Sequence, residues 1–76
     1  MLVTKKEISV ANIGEELWRF SNSSYTTGSP WTETQFAEDF AQENSEYLFL
    51  VENGQWLGSI DYHFILGEAE ISNVVV

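Results

Sequence analysis

The pair Asn53-Gly54, set between two strand-forming stretches, constrains the fold of this chain more than any other feature of its sequence. Ahead of it, Tyr47-Leu48-Phe49-Leu50-Val51 is an aromatic and branched run of the kind that fits a pleated, half-buried surface. Asn-Gly is the strongest two-residue hairpin signal, so a second strand is predicted to return from Gln55 to about His63. Gly67 and its neighbours then turn the chain again. Beyond them Ala69, Ile71 and Asn73 alternate with Glu70 and Ser72 before Val74-Val75-Val76. A three-stranded antiparallel meander follows.

Two helices are predicted upstream. Thr32 and Gln35 stand at capping-box spacing, and Trp31 and Phe36 occupy the two positions of a hydrophobic staple, which fixes the start of the second helix. Phe36 and Phe40, with Ala37 and Ala41 beside them, face inward. Glu33, Glu38, Asp39 and Glu43 are assigned to water, and the helix is expected to end near Asn44-Ser45. An earlier helix starts from Asn12 and Glu15, with Ile13, Leu17 and Phe20 at helical spacing through about Ser21. The polar stretch 21–29 is a loop. Residues 3–10 read as a weak first strand, in which Ile8 and Val10 alternate with Glu7 and Ser9 and Lys5-Lys6 dilutes the pattern. The expected order is β-α-α-β-β-β, an α+β arrangement within one domain spanning 1–76.

Composition narrows the class of function. A hydrophobic content of 43% and an aromatic content of 14% are too rich for a disordered chain. No apolar run approaches the roughly 18–20 residues that span a bilayer, and the N-terminus lacks a signal-peptide core, so a cytoplasmic protein with no membrane partner is expected. The absence of cysteine agrees with a reducing compartment and removes thiolate nucleophiles and cysteine-type zinc sites. Twelve acids against three bases give a net charge of −9, which opposes binding to nucleic acid. Such a surface attracts a cationic substrate, such as an amine or a basic protein tail. It also serves solubility by itself.

Val74-Val75-Val76 fits a strand covered on both faces, because an exposed face would show strict alternation. A strand of that kind with an unpaired edge is an association hazard. The chain is therefore expected to be the front part of a larger fold, and in isolation to self-associate.

The stretches Ser29-Pro30-Trp31-Thr32-Glu33-Thr34-Gln35-Phe36 and Gly67-Glu68-Ala69-Glu70-Ile71-Ser72-Asn73-Val74-Val75-Val76, with the Asn-Gly hairpin between them, resemble the GNAT-type N-acetyltransferases. Within that family they are most similar to the ribosomal-protein alanine N-acetyltransferases. The resemblance implies the N-terminal half of a GNAT fold ending at the central fourth strand, and transfer of an acetyl group from acetyl-CoA to a primary amine, a protein N-terminus in particular. It implies a bulged fourth strand whose main-chain groups at Val74, Val75 and Val76 hold the thioester and pantetheine arm. It places Trp31 and Tyr25 on the walls of the peptide groove, and Glu68 where an acid would face the incoming amine. The family's Gln/Arg-x-x-Gly-x-Gly/Ala pyrophosphate loop, its glutamate base and its tyrosine would all lie beyond Val76. Catalytic residues are thus unassigned, and the segment alone is expected to be inactive.

A stand-alone α+β assembly module that pairs through an open fourth strand remains the alternative. His63 is weighed as a base and read as a partly exposed polar residue. Asp61, Glu68 and Glu70 are weighed as a hard-cation site and read as a solvated acidic rim, so no metal is expected. Trp18 and Trp56 are expected to cover core edges.

Overall fold

A computed structural model describes residues 1–76. Strand β1 (Leu2–Thr4) is followed by a 3₁₀ turn (Lys5–Glu7), helices α1 (Ile13–Ser24) and α2 (Glu33–Ala41), and strands β2 (Ser45–Glu52), β3 (Gln55–Ile65) and β4 (Glu68–Val75). The four strands form one sheet in the order β1-β2-β3-β4, each pair antiparallel. The α+β class and the strand-helix-helix-meander order are those expected.

Local chemistry accounts for the element ends. Asn53 and Gly54 both take positive φ, 53° and 76°, as the tight hairpin between β2 and β3 requires. Leu66 and Gly67 do the same between β3 and β4, at 51° and 82°. The capping box of α2 forms as predicted: Gln35 N–H donates to Thr32 Oγ1 at 3.2 Å, and Thr32 N–H donates to Gln35 Oε1 at 2.8 Å. Trp31 meets Phe36 at 5.2 Å between ring centroids, closing the staple.

Three boundaries differ from expectation. The first strand stops at Thr4 because the Glu7 carboxylate accepts from both Thr4 N–H and Thr4 Oγ–H, at 3.1 and 3.0 Å, curling the chain. Ile8 and Val10 are therefore outside the sheet. Helix α1 runs on to Ser24, where the hydroxyls of Ser23 and Ser24 each donate to the Phe20 carbonyl at 2.9 Å. Helix α2 ends at Ala41 because other groups satisfy its last carbonyls. Ser45 Oγ donates to Asp39 O at 2.7 Å and Lys5 Nζ to Gln42 O at 2.7 Å.

Both helices pack on one face of the sheet. The core there is Val3, Leu17, Phe36, Tyr47 and Phe49, flanked by Trp18, Trp31, Phe40 and Trp56. Period 2 sends the intervening residues to the other face, where Leu50, Ile60, Phe64 and Ile71 remain exposed. The expectation that the closing valines are covered on both faces is corrected by this layering. Val75 is 3% exposed under the helices, but Val74 is 47% and Val76 91% exposed. Strand β4 is an edge strand in this sheet and not a central one, with β3 its only neighbour.

The helices touch most closely at Gly14. A Cβ there would lie 2.5 Å from the Glu33 carbonyl oxygen and 2.8 Å from Ala37 Cβ, so any side chain forces α1 and α2 apart. Gly14→Ala is expected to destabilise by about 1–3 kcal/mol, against the small gain that alanine normally brings inside a helix. Urea denaturation measures it, and a midpoint at or above wild type would mean the helices do not pack at this separation.

Candidate functional site

Helical spacing places Asp39 three residues after Phe36 and one before Phe40, so its carboxylate points at the sheet with the two rings and not at water. It is 6% exposed, a correction to the assignment from sequence. Register completes the surroundings: Tyr47 lies opposite Asp61, and Ser45 opposite His63, all on the helix-covered face. Asp61 is 1% exposed and far from the β3–β4 turn, so it does not belong to an acidic rim with Glu68 and Glu70.

Asp39 joins two of these side chains, Tyr47 and His63. Asp39 Oδ2 accepts from the Tyr47 hydroxyl at 2.5 Å, and Asp39 Oδ1 lies 2.5 Å from His63 Nε2. On its other side His63 Nδ1 lies 2.7 Å from Ser72 Oγ on β4. Asn73 Nδ2 donates to Asp61 Oδ2 at 3.3 Å, while Asp61 Oδ1 is buried with no hydrogen-bond partner. Burial, and then the neighbouring Asp39, push the Asp61 carboxyl up to about 7, with Asn73 and His63 pulling the other way. Burial and the hydrogen bond to Asp39 hold the Tyr47 phenol far above its usual range, so it stays protonated. The cluster therefore contains a carboxyl group poised to exchange a proton near neutrality.

A second locus is the free edge of β4. Tyr25 Oη donates to the Val74 carbonyl at 3.0 Å, so that carbonyl faces away from β3. The N–H and C=O of one residue in an antiparallel strand point the same way and alternate along it. Val74 therefore turns its N–H group outward, while Val75 turns its groups toward β3; a Cβ on Gly58 would sit 3.3 Å from the Val75 carbonyl oxygen. A register shift leaves Ser72 as an extra residue between the pairs Asp61–Asn73 and Tyr62–Ile71, a bulge in β4.

Of the residues singled out in sequence, the structure brings Tyr25 together with Val74. Trp31 lies at the mouth of α2, packed on Phe36 with its carbonyl held by Ser29 Oγ at 2.8 Å. Glu68 is exposed at the opposite end of β4, about 20 Å along the strand from Val74 by its rise per residue. It is not beside Tyr25. Trp18 and Trp56 flank the core as expected. The chain has no helix long and apolar enough to cross a membrane. Comparison with protein-family models, with curated proteins and with solved structures found no match in any of the three.

Proposed function

We propose that this chain supplies the amine-side half of an N-acetyltransferase of GNAT type, with the free edge of β4 as the surface that holds the acetyl thioester. The observation that carries the reading is the bulged β4 edge, with the Val74 N–H turned outward beside the Tyr25 hydroxyl. The acceptor is a primary amine, a protein N-terminus in particular. Its neutral nitrogen attacks the thioester carbonyl, a C–N bond forms, the C–S bond breaks and the thiolate leaves. Outward N–H groups suit the oxygen that gains charge in that step.

The donor set fits only part of acetyl-CoA. A pyrophosphate needs a cradle of N–H groups or several free cations, yet Lys5 is committed to Gln42 and Ser45 and Arg19 to Glu15, which leaves the exposed Lys6 alone. Those contacts, and the proton acceptor for the amine, are assigned to a further segment docked along β4. A reading frame that continues past Val76 into Gln/Arg-x-x-Gly-x-Gly/Ala supports this assignment. In the enzyme that carries this chain, Val74→Pro removes one outward N–H without breaking a bond to β3, so it is tolerated by the fold. It is expected to lower acetyl transfer about 10²–10³-fold, the cost of one oxyanion donor. Undiminished transfer by a folded Val74→Pro protein would overturn the proposal.

The same edge also favours a second reading, an assembly module that pairs β4 with another strand. On the rear face Leu2, Leu48, Leu50, Leu57 and Ile60 line an apolar groove of about 250 Å³ beside Val74. Light scattering separates the readings: a stable dimer formed by the whole gene product and lost in a β4-edge variant, with no transferase activity, favours assembly.

A further inference from the structure

We propose that Asp39, Asp61 and His63 form a binding site for one divalent transition-metal ion of the zinc type. Their donor atoms lie within 4.8 Å of one another. Ligands around a single tetrahedral ion, with bonds to nitrogen and oxygen of about 2.0–2.2 Å, stand roughly 3.4 Å apart, so the three side chains close on one ion by shifts on the order of an ångström. The independent sign is Asp61 Oδ1, a carboxylate oxygen that receives no hydrogen bond on a side chain 1% exposed, in a carboxyl group that lies against that of Asp39. Buried carboxylate oxygens are ordinarily hydrogen-bonded or ligated. No protein cation takes the place, since Lys5 donates to the Gln42 carbonyl and to Ser45, Arg19 pairs with Glu15, and Lys6 is exposed and makes no bond to either aspartate.

The surroundings suit such an ion. Tyr47 holds the second oxygen of Asp39, leaving the first to point at His63. Ser72 lies on Nδ1 of His63, which fixes the ring with Nε2 toward the carboxylates, the arrangement that orients metal-binding imidazoles. Binding replaces the direct contact between His63 Nε2 and Asp39 Oδ1 with two bonds to the ion. The mixture of one imidazole and two carboxylates selects zinc-type ions over magnesium and calcium, which prefer oxygen ligands throughout.

The test uses the whole chain stripped with EDTA and titrated with Zn²⁺, with Mg²⁺ as control, by calorimetry and thermal melting. One equivalent of zinc is expected to bind and raise the melting temperature, and magnesium to do neither. Co²⁺ should give the visible absorption of a tetrahedral site. Asp61→Asn and His63→Gln should each abolish the cobalt band, and Ser72→Ala, which only orients the ring, should weaken zinc about 10-fold. Should either ligand variant fail to fold, the cobalt spectrum of the wild type decides: a tetrahedral band that saturates at one equivalent and is displaced by one equivalent of Zn²⁺ is expected. No saturable binding, binding unchanged in folded ligand variants, or bound cobalt without the tetrahedral band overturns the site.

Discussion

Phe49→Ala is expected to remove about 3–5 kcal/mol of stability, the range for a phenylalanine fully enclosed in a core. Phe49 is 0% exposed and stacks on Trp56 at 4.5 Å and on Tyr47 at 5.8 Å between ring centroids. Through those neighbours it reaches both helices, since Trp56 meets Phe20 at 5.8 Å and Tyr47 meets Phe40 at 5.1 Å. A chain of 76 residues has a total stability of roughly 4–11 kcal/mol by the usual per-residue range. One substitution thus removes roughly a quarter of it or more. Leu50→Ala, one residue along on the open face and 45% exposed, should cost under about 1–2 kcal/mol. Urea denaturation followed by tryptophan fluorescence compares the two, and equal midpoints would show that the helices do not cover the Phe49 face.

Asp61→Asn is expected to stabilise the protein above neutral pH, which few substitutions of a buried charged group do. The folded-state carboxyl, at about 7, lies well above the unfolded value near 3.9, so the native state binds this proton more tightly than the unfolded chain. Stability from this group is fully present below about pH 4. It falls as pH rises through the interval between the two values, and is lost above about 7. Asparagine keeps the shape of the neutral acid and cannot ionise. The gain at pH 8 is on the order of 2–4 kcal/mol, with little change at pH 4. Glu7 and Glu15 act in the opposite sense, since hydrogen bonds hold their carboxyls below the ordinary range, but their windows lie at more acid pH. Urea midpoints at pH 5 and pH 8 in EDTA measure the effect. Equal pH dependence in wild type and variant would show that Asp61 is not the group responsible.

The elements were legible where the code is local. The Asn53-Gly54 turn, the Thr32–Gln35 box and the Trp31–Phe36 staple each act within a few residues, and each forms as its sequence predicts. The buried cluster was illegible for a non-local reason. Counting back from a plain two-residue hairpin pairs Asp61 with Glu46, which sends its carboxylate to the open face. The structure inserts Leu57 as an extra residue between the pairs Leu50–Gly58 and Val51–Trp56, and the slip of one turns Asp61 toward Tyr47. Asp39 carried a usable signal in its spacing from Phe36 and Phe40. Its charge outweighed that spacing in the reading from sequence, because a buried aspartate is rare without partners, and the partners come from β2 and β3. The β4 edge was partly legible: its valines mark a strand, but which N–H groups face outward depends on the Tyr25 bond to Val74, forty-nine positions apart in sequence.

Acetyl-CoA titrated into isotope-labelled protein, followed by amide nuclear magnetic resonance, tests most directly whether the free edge of β4 holds the thioester. The expected result is a weak, saturable shift of the outward amide of Val74 together with the Tyr25 ring signals, while the inward amide of Val75 moves least. Shifts confined to other parts of the chain, or an unchanged β4 at millimolar ligand, would contradict the assignment.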